Sequence, residues 1–120
     1  MYDHVGLRIK NLAASARFYR AALAPLGHVA DASGSGFGPD GRPMLWLHEQ
    51  ADAGARGVHL AFAADSRAAV DDFHRAGLKA GGRDHGAPGL RKDYGPNYYA
   101  AFLIDPDGNN VEAVCLKPDA

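Results

Sequence analysis

Two histidines and one glutamate have the types and settings that a metal centre requires. His4 heads the alternating stretch His4-Val5-Gly6-Leu7-Arg8-Ile9, His59 heads His59-Leu60-Ala61-Phe62-Ala63, and Glu112 is carried on the apolar ribbon Val111-Glu112-Ala113-Val114. A carboxylate among apolar neighbours is costly to bury without a partner. Two imidazoles and one carboxylate make a facial donor set that leaves coordination positions open, suited to Fe, Mn, Ni or Zn as a divalent ion. Strand parity turns all three the same way: His4 lies opposite Val5 and Leu7, His59 opposite Leu60 and Phe62, and Glu112 opposite Val111 and Ala113. A substrate held through two neighbouring oxygens would there meet a Lewis acid able to stabilise a developing oxyanion. The plain alternative, for each histidine alone, is an ordinary structural residue, and near-terminal His4 reads equally well as an exposed strand start.

Other side chains fall around this trio. Tyr99 shares the face of Glu112 if the hairpin between their strands turns in about two to four residues, and would then orient substrate or donate a proton as a catalytic partner of Glu112. Arg8 lies on the face of His4 and could hold a substrate carboxylate or phosphate. Trp46 and His48 share a strand face and line the same pocket, while Arg91, Lys92 and Tyr94 belong to a loop that would cover it and grip an anion. Against these readings stand core packing for Tyr98, Tyr99 and Trp46, a surface ion pair for Arg8, and solvated charge on the loop. His28, His74 and His85 read as helix, loop or surface residues. The single cysteine, Cys115, cannot form an internal disulfide and reads as a small buried hydrophobe.

Regular elements must position these groups. Residues 4–10 alternate as a half-buried strand, and Asn11 caps a helix whose stripe is Leu12, Ala16, Tyr19 and Leu23, flanked by Phe18 and stopped by Pro25. A strand over 26–32 follows. The Gly- and Ser-rich run over 33–38 reads as a strand edge or loop that a ligand or another backbone approaches closely. After Pro39-Asp40-Gly41 comes a strand over 44–48, and the shift to Ala, Gly, Asp and Gln over 49–57 marks the junction of two halves. The second half repeats the plan. A strand from His59 leads to a helix capped at Asp65 or Ser66, with Val70, Phe73, Gly77 and Ala80 on its stripe and Gly81-Gly82 at its end. A short strand near Arg83, a turn-rich loop over 86–96 and a strand over 98–104 lead to the tight turn at Pro106-Asp107-Gly108.

With 120 residues and 47% hydrophobic content the chain suffices for one compact domain, spanning residues 1–120, with module 1 about 1–50 and module 2 about 57–116. A net charge of -1 argues against a nucleic-acid partner, and no apolar run approaches the ~20 residues of a membrane span, so the expected location is cytoplasmic. Each half alone leaves a sheet face bare. The expected fold is therefore α+β, two βαβββ modules pairing into a cup-shaped, mostly antiparallel sheet with helices outside.

The duplicated pattern, with His4-Val-Gly-Leu-Arg-Ile and Ser15, Phe18 and Tyr19 downstream, His59-Leu-Ala-Phe, and Asp105-Pro-Asp-Gly-Asn-Asn-Val-Glu112, resembles the vicinal oxygen chelate superfamily. That group holds glyoxalases, fosfomycin-resistance thiol transferases, extradiol dioxygenases, methylmalonyl-CoA epimerase and bleomycin-resistance proteins. The run Tyr94-Gly-Pro-Asn-Tyr-Tyr-Ala-Ala-Phe102 looks like a bacterial glyoxalase-like subgroup. The resemblance implies metal ligands at His4, His59 and Glu112. Lactoylglutathione lyases usually have a fourth, acidic ligand, whose matching place here is Leu45 or Trp46, and neither binds metal. The expected function is a metal-dependent enzyme on a small molecule, of lyase or isomerase type, with dioxygenase or thiol-transferase chemistry also open. The alternative is a non-catalytic binder that sequesters a compound, as bleomycin-resistance proteins do. A homodimer is the expected assembly, and the cup closes within one chain or by exchange between two.

Overall fold

The computed structural model describes residues 2–52 and 58–119; the part of the expected junction over 53–57 lies outside the described residues. Alternation at the start of the chain becomes strand β1 (Val5–Ile9), with Leu7 and Ile9 buried and Gly6 and Arg8 exposed. The Asn11 side chain caps helix α1 (Leu12–Leu23) by accepting from the Ala14 amide at 3.0 Å, which satisfies one of the free N–H groups at a helix start. The buried stripe is Ser15, Phe18, Tyr19, Ala22 and Leu23. Pro25 ends the helix in a short 3-10 turn, and β2 (His28–Ala30), β3 (Gly36–Pro39) and β4 (Leu45–Glu49) complete the first module. In β3 a Cβ on Gly38 would stand 1.9 Å from the Arg42 carbonyl oxygen, and one on Gly36 would stand 2.7 Å from the Trp46 ring. The close approach expected of this glycine run is made by the chain itself.

The second module repeats the order: β5 (His59–Ala63), α2 (Arg67–Lys79) capped by Ser66, β6 (Arg83–Leu90), β7 (Tyr99–Ile104) and β8 (Asn110–Cys115). Strand order is β1-β4-β3-β2 in one sheet and β5-β8-β7-β6 in the other. In each the first strand runs parallel to the last and the remaining pairs are antiparallel. The α+β architecture of two βαβββ modules is as expected. Within one chain, however, the strands form two mixed four-stranded sheets rather than one continuous cup.

The stretch expected as a loop from Gly86 is strand as far as Leu90. Gly86, Pro88 and Gly89 are turn formers by type, but here they serve an irregular strand whose register against β7 shifts on either side of Gly86. A Cβ at Gly86 would lie 2.9 Å from the Phe102 ring, so glycine is needed for close packing rather than for reversal.

One core joins the modules. Leu7, Ile9, Leu45 and Leu47 from the first sheet and Ala101, Leu103, Val111, Ala113 and Cys115 from the second bury against Phe18, Leu23, Val70 and Phe73 of the two helices. Each large side chain so removed from water contributes about 1.5–3 kcal/mol. The turn after β7 adds a polar clasp. Asp105, 2% exposed, accepts from Tyr19 Oη at 2.6 Å, from the Asp107 and Asn109 amides, and from Asn109 Nδ2. Asp107 in turn accepts from the Ser15 hydroxyl at 3.3 Å and the Lys10 amide at 3.0 Å. The hairpin of the second module is thereby bolted to the first helix. Burial, together with the Asp105 carboxylate, pushes the Tyr19 phenol well above its ordinary pKa, so it remains a donor. Among the described residues no helix is long and apolar enough to cross a membrane.

Candidate metal and substrate site

The site grows out of strand register. β5 and β8 run side by side with His59 paired to Asn110 and Ala61 to Glu112, so Asn110 and Glu112 project from the same face, beside His59. That face is the one turned away from the core. Glu112 is nonetheless buried, its side chain only 3% exposed while that of His59 is 46% exposed. Its two oxygens have separate partners: Oε1 lies 3.0 Å from His59 Nε2, and Oε2 accepts from Tyr98 Oη at 2.5 Å. The hydrogen bond to Glu112, with burial and the charge behind it, pushes the Tyr98 phenol up to about 12.

His59 is held at both nitrogens. Nδ1 is 3.2 Å from the Asn110 carbonyl oxygen, which accepts its N–H, so Nε2 meets Glu112 Oε1 either as a second N–H donor or, with the ring neutral, as a lone pair. Two lone pairs cannot rest against each other unless a proton or a cation lies between them. An imidazole whose far nitrogen is fixed by a carbonyl and a carboxylate whose far oxygen is fixed by a phenol could together hold an ion. The 3.0 Å between Nε2 and Oε1 is the length of an ordinary hydrogen bond, so the pair can share a proton as well as an ion.

A pocket of about 640 Å³ opens over this pair, lined by His59, Asp93, Tyr94, Tyr98, Phe102, Asn110 and Glu112. Tyr94 packs edge-on against Tyr98, with ring centres 5.3 Å apart, and Phe102 stacks on His59 at 6.3 Å.

His4 is not part of this group. Its Nδ1 is bonded to the Asp3 carboxylate at 2.7 Å, and it lines a different cavity, of about 340 Å³, with Leu23, Leu26, His28 and Phe37. Among the described residues no three His, Cys, Asp or Glu side chains converge closely enough to share an ion. The expectation that His4, His59 and Glu112 meet does not hold inside a single chain.

Tyr99 must also be moved. Phe102 is the partner of Glu112 and Ile104 that of Asn110, so residues 105–109 make the connection and Tyr98, Ala100 and Phe102 take the Glu112 face. Tyr99 points to the helix side instead and donates to Asp71 at 2.6 Å. Tyr98, first weighed as a core residue, is the tyrosine at the site; the alternation Tyr98-Ala100-Phe102 would have revealed it once the turn length was known.

Of the substrate-binding candidates, Tyr94 lines the pocket. Arg91 does not: its guanidinium lies 5.4 Å over the Phe102 ring and donates to the Gly89 and Ala87 carbonyls. Arg8, Trp46 and His48 occupy the outer face of the first sheet, with Arg8 paired to His48 and Gly6 to Trp46. Because Ala61 pairs with Glu112 as Gly6 pairs with Trp46, Trp46 is the first-module counterpart of Glu112, and Leu45 is in the core. Two of the remaining histidines have other partners: His74 bonds to Asp84 at 2.8 Å, and His28 packs near Phe62.

The fold has solved counterparts. A crystal structure of a glyoxalase/bleomycin resistance protein from Albidiferax ferrireducens T118 superimposes with a TM-score of 0.78 at 31% identity, covering 98% of this chain and 99% of that one. A putative glyoxalase from Bacillus halodurans has a TM-score of 0.68 at 27% identity, covering 96% and 95%. A family enzyme from Burkholderia phytofirmans PsJN shares the fold, with a TM-score of 0.73 at 20% identity over 97% and 98%. Comparison with curated proteins finds no match. Residues 2–113 match the pattern of the family described as Glyoxalase/Bleomycin resistance protein/Dioxygenase superfamily, and with the paired βαβββ modules this makes the chain a member of that superfamily.

Proposed function

We propose that the protein is a metal-dependent enzyme acting on a small molecule that offers two neighbouring oxygens, with lyase or isomerase chemistry as the leading type. The observation that carries this reading is the buried Glu112 carboxylate, shared between His59 and Tyr98 at the floor of an aromatic-walled pocket. His59 Nε2 and Glu112 Oε1 would hold the ion, and His4 of a second copy would complete the set in a homodimer. A divalent Fe, Mn, Ni or Zn bound there supplies Lewis acidity toward the substrate oxygens. The chain's own part is positional and protonic. Tyr98 keeps its proton on Oη and fixes Oε2, the Asn110 carbonyl fixes the His59 ring, and Tyr94 and Phe102 wall off water and set the plane of the substrate. Glu112 would serve as the acid-base group only through Oε1, while that oxygen is off the ion, because Oε2 is held by Tyr98. Arg8, Trp46 and His48 would face this pocket only from the second copy.

The test is metal analysis of the purified protein alongside Glu112→Ala, followed by turnover assays with methylglyoxal-thiol adducts, catechols and fosfomycin. One metal per chain in the wild type, lost in the variant, supports the reading. A wild type that arrives metal-free and refuses Mn, Fe, Ni and Zn in titration would transfer the pocket to the alternative, a non-catalytic sequestering protein whose aromatic walls bind an organic ligand directly.

A further inference from the structure

We infer that Asn110 is a third donor in the same chain: its side-chain oxygen joins His59 Nε2 and Glu112 Oε1 around the ion. This rests on the reading of those two residues as ligands. Among the described residues only two buried side-chain polar atoms lack a hydrogen-bond partner, Arg67 Nε and Asn110 Oδ1. The Arg67 guanidinium lies 5.1 Å over the Tyr99 ring, a π face that accounts for it. Asn110 Oδ1 is then the orphan to be explained. Buried acceptors are rarely left unpaired in native proteins, so each one calls for an explanation, a bound water or an ion among them.

Placement supplies the rest. Asn110 is the register partner of His59 on the adjoining parallel strand, it precedes Glu112 by two positions on the same face, and all three line one pocket. Its main-chain carbonyl already fixes the His59 ring at Nδ1, so the residue serves the site twice. The need for such a donor is visible in the other module. Trp46 stands where a counterpart of Glu112 would be and has no metal-binding atom, so an oxygen missing from the first sheet is made up from the second. One imidazole, one carboxylate and one neutral amide oxygen favour a hard or borderline divalent ion such as Mn(II), Fe(II) or Co(II) over a thiophilic one.

Co(II) is the probe, because its visible spectrum reports the number of ligands around it. Wild type, Asn110→Leu, Asn110→Asp and Glu112→Ala are titrated with Co(II) alone by calorimetry and by absorbance, with circular dichroism as the check on folding. Loss of an outer-shell contact already weakens metal binding by about 10- to 100-fold, so Asn110→Leu is expected to lose at least about tenfold and to change the Co(II) bands. Asn110→Asp, which keeps an oxygen and adds charge, binds at least as tightly as wild type and retains the wild-type bands. Asn110→Leu binding Co(II) within about twofold of wild type, with identical bands, overturns the assignment while leaving His59 and Glu112 as ligands. If Asn110→Leu does not fold, weaker binding by Asn110→Asp overturns it instead. A wild type that binds no Co(II) overturns the assignment and the functional reading together.

Discussion

At the scale of single residues, Tyr98 governs how Glu112 presents itself. A phenol pushed up to about 12 by its bond to the carboxylate stays protonated at every working pH, so Oε2 is permanently occupied and only Oε1 faces His59. Tyr98→Phe frees Oε2 and lets the carboxylate rotate. The expected result is Mn(II) binding weaker by about 10- to 100-fold and stability lower by about 1–3 kcal/mol. Equal affinity in the two proteins would remove Tyr98 from the site. His28 gives a second, independent handle. Burial lowers its pKa from 6.5, so the unfolded chain takes up its proton more readily than the folded one. Stability should therefore hold above 6.5 and decline as pH falls through that value toward the lower folded one. Asp84, held low by its bond to His74, protects stability above 3.8 and loses that contribution only in more acid solution, so the two windows separate. Urea midpoints measured from about pH 8 to about pH 5 should fall in the wild type and fall less in His28→Asn; parallel slopes would discard the assignment.

At the scale of elements, the Asp105 turn is more than a reversal. Its carboxylate satisfies two amides of its own turn and a phenol on α1, so a buried polar contact of the second module is made with the first. Asp105→Asn turns an N–H₂ toward at least one of those donors and should cost about 3 kcal/mol. The only tryptophan, Trp46, lies in the other module, so its fluorescence is the discriminating probe. A lowered urea midpoint reported by Trp46 means that the modules share their stability, whereas an unchanged one means that the clasp is local. The same turn shows what could be read in advance. Alternation and caps revealed β1, α1, α2 and the hairpin, because burial periodicity is local. The face of Tyr98 against Tyr99 was not legible: an odd-length connection reverses the parity that a four-residue one would give, and turn length depends on the Asp105 contacts to a distant helix. The part of β6 from Gly86 on was hidden for a related reason, since Gly86 answers to the Phe102 ring across the sheet.

At the scale of the whole molecule, the position of His4 sets the assembly problem. Both sheets bury their helix-covered faces in one core, and no residue of the first sheet lines the pocket over Glu112. Sequence parity groups His4 with Gly6 and Arg8, but parity says nothing about which copy of the chain their face meets. If the first sheet of one protomer covers the second sheet of its partner, His4 reaches His59 and Glu112 in trans, bringing Arg8, Trp46 and His48 to the same pocket. Mixing then makes a sharp prediction. His4→Ala and His59→Ala each damage both sites of their own homodimers, but a mixed dimer contains one site with both substitutions and one with neither. Co-refolding the two variants at equal concentrations should yield about half mixed dimers and so restore about a quarter of the wild-type high-affinity Mn(II) sites. Each variant refolded alone should restore none. Were the site completed within one chain by His59, Glu112 and Asn110 without His4, His4→Ala would bind Mn(II) as well by itself as the wild type does, and mixing would add nothing to the sum of the two variants.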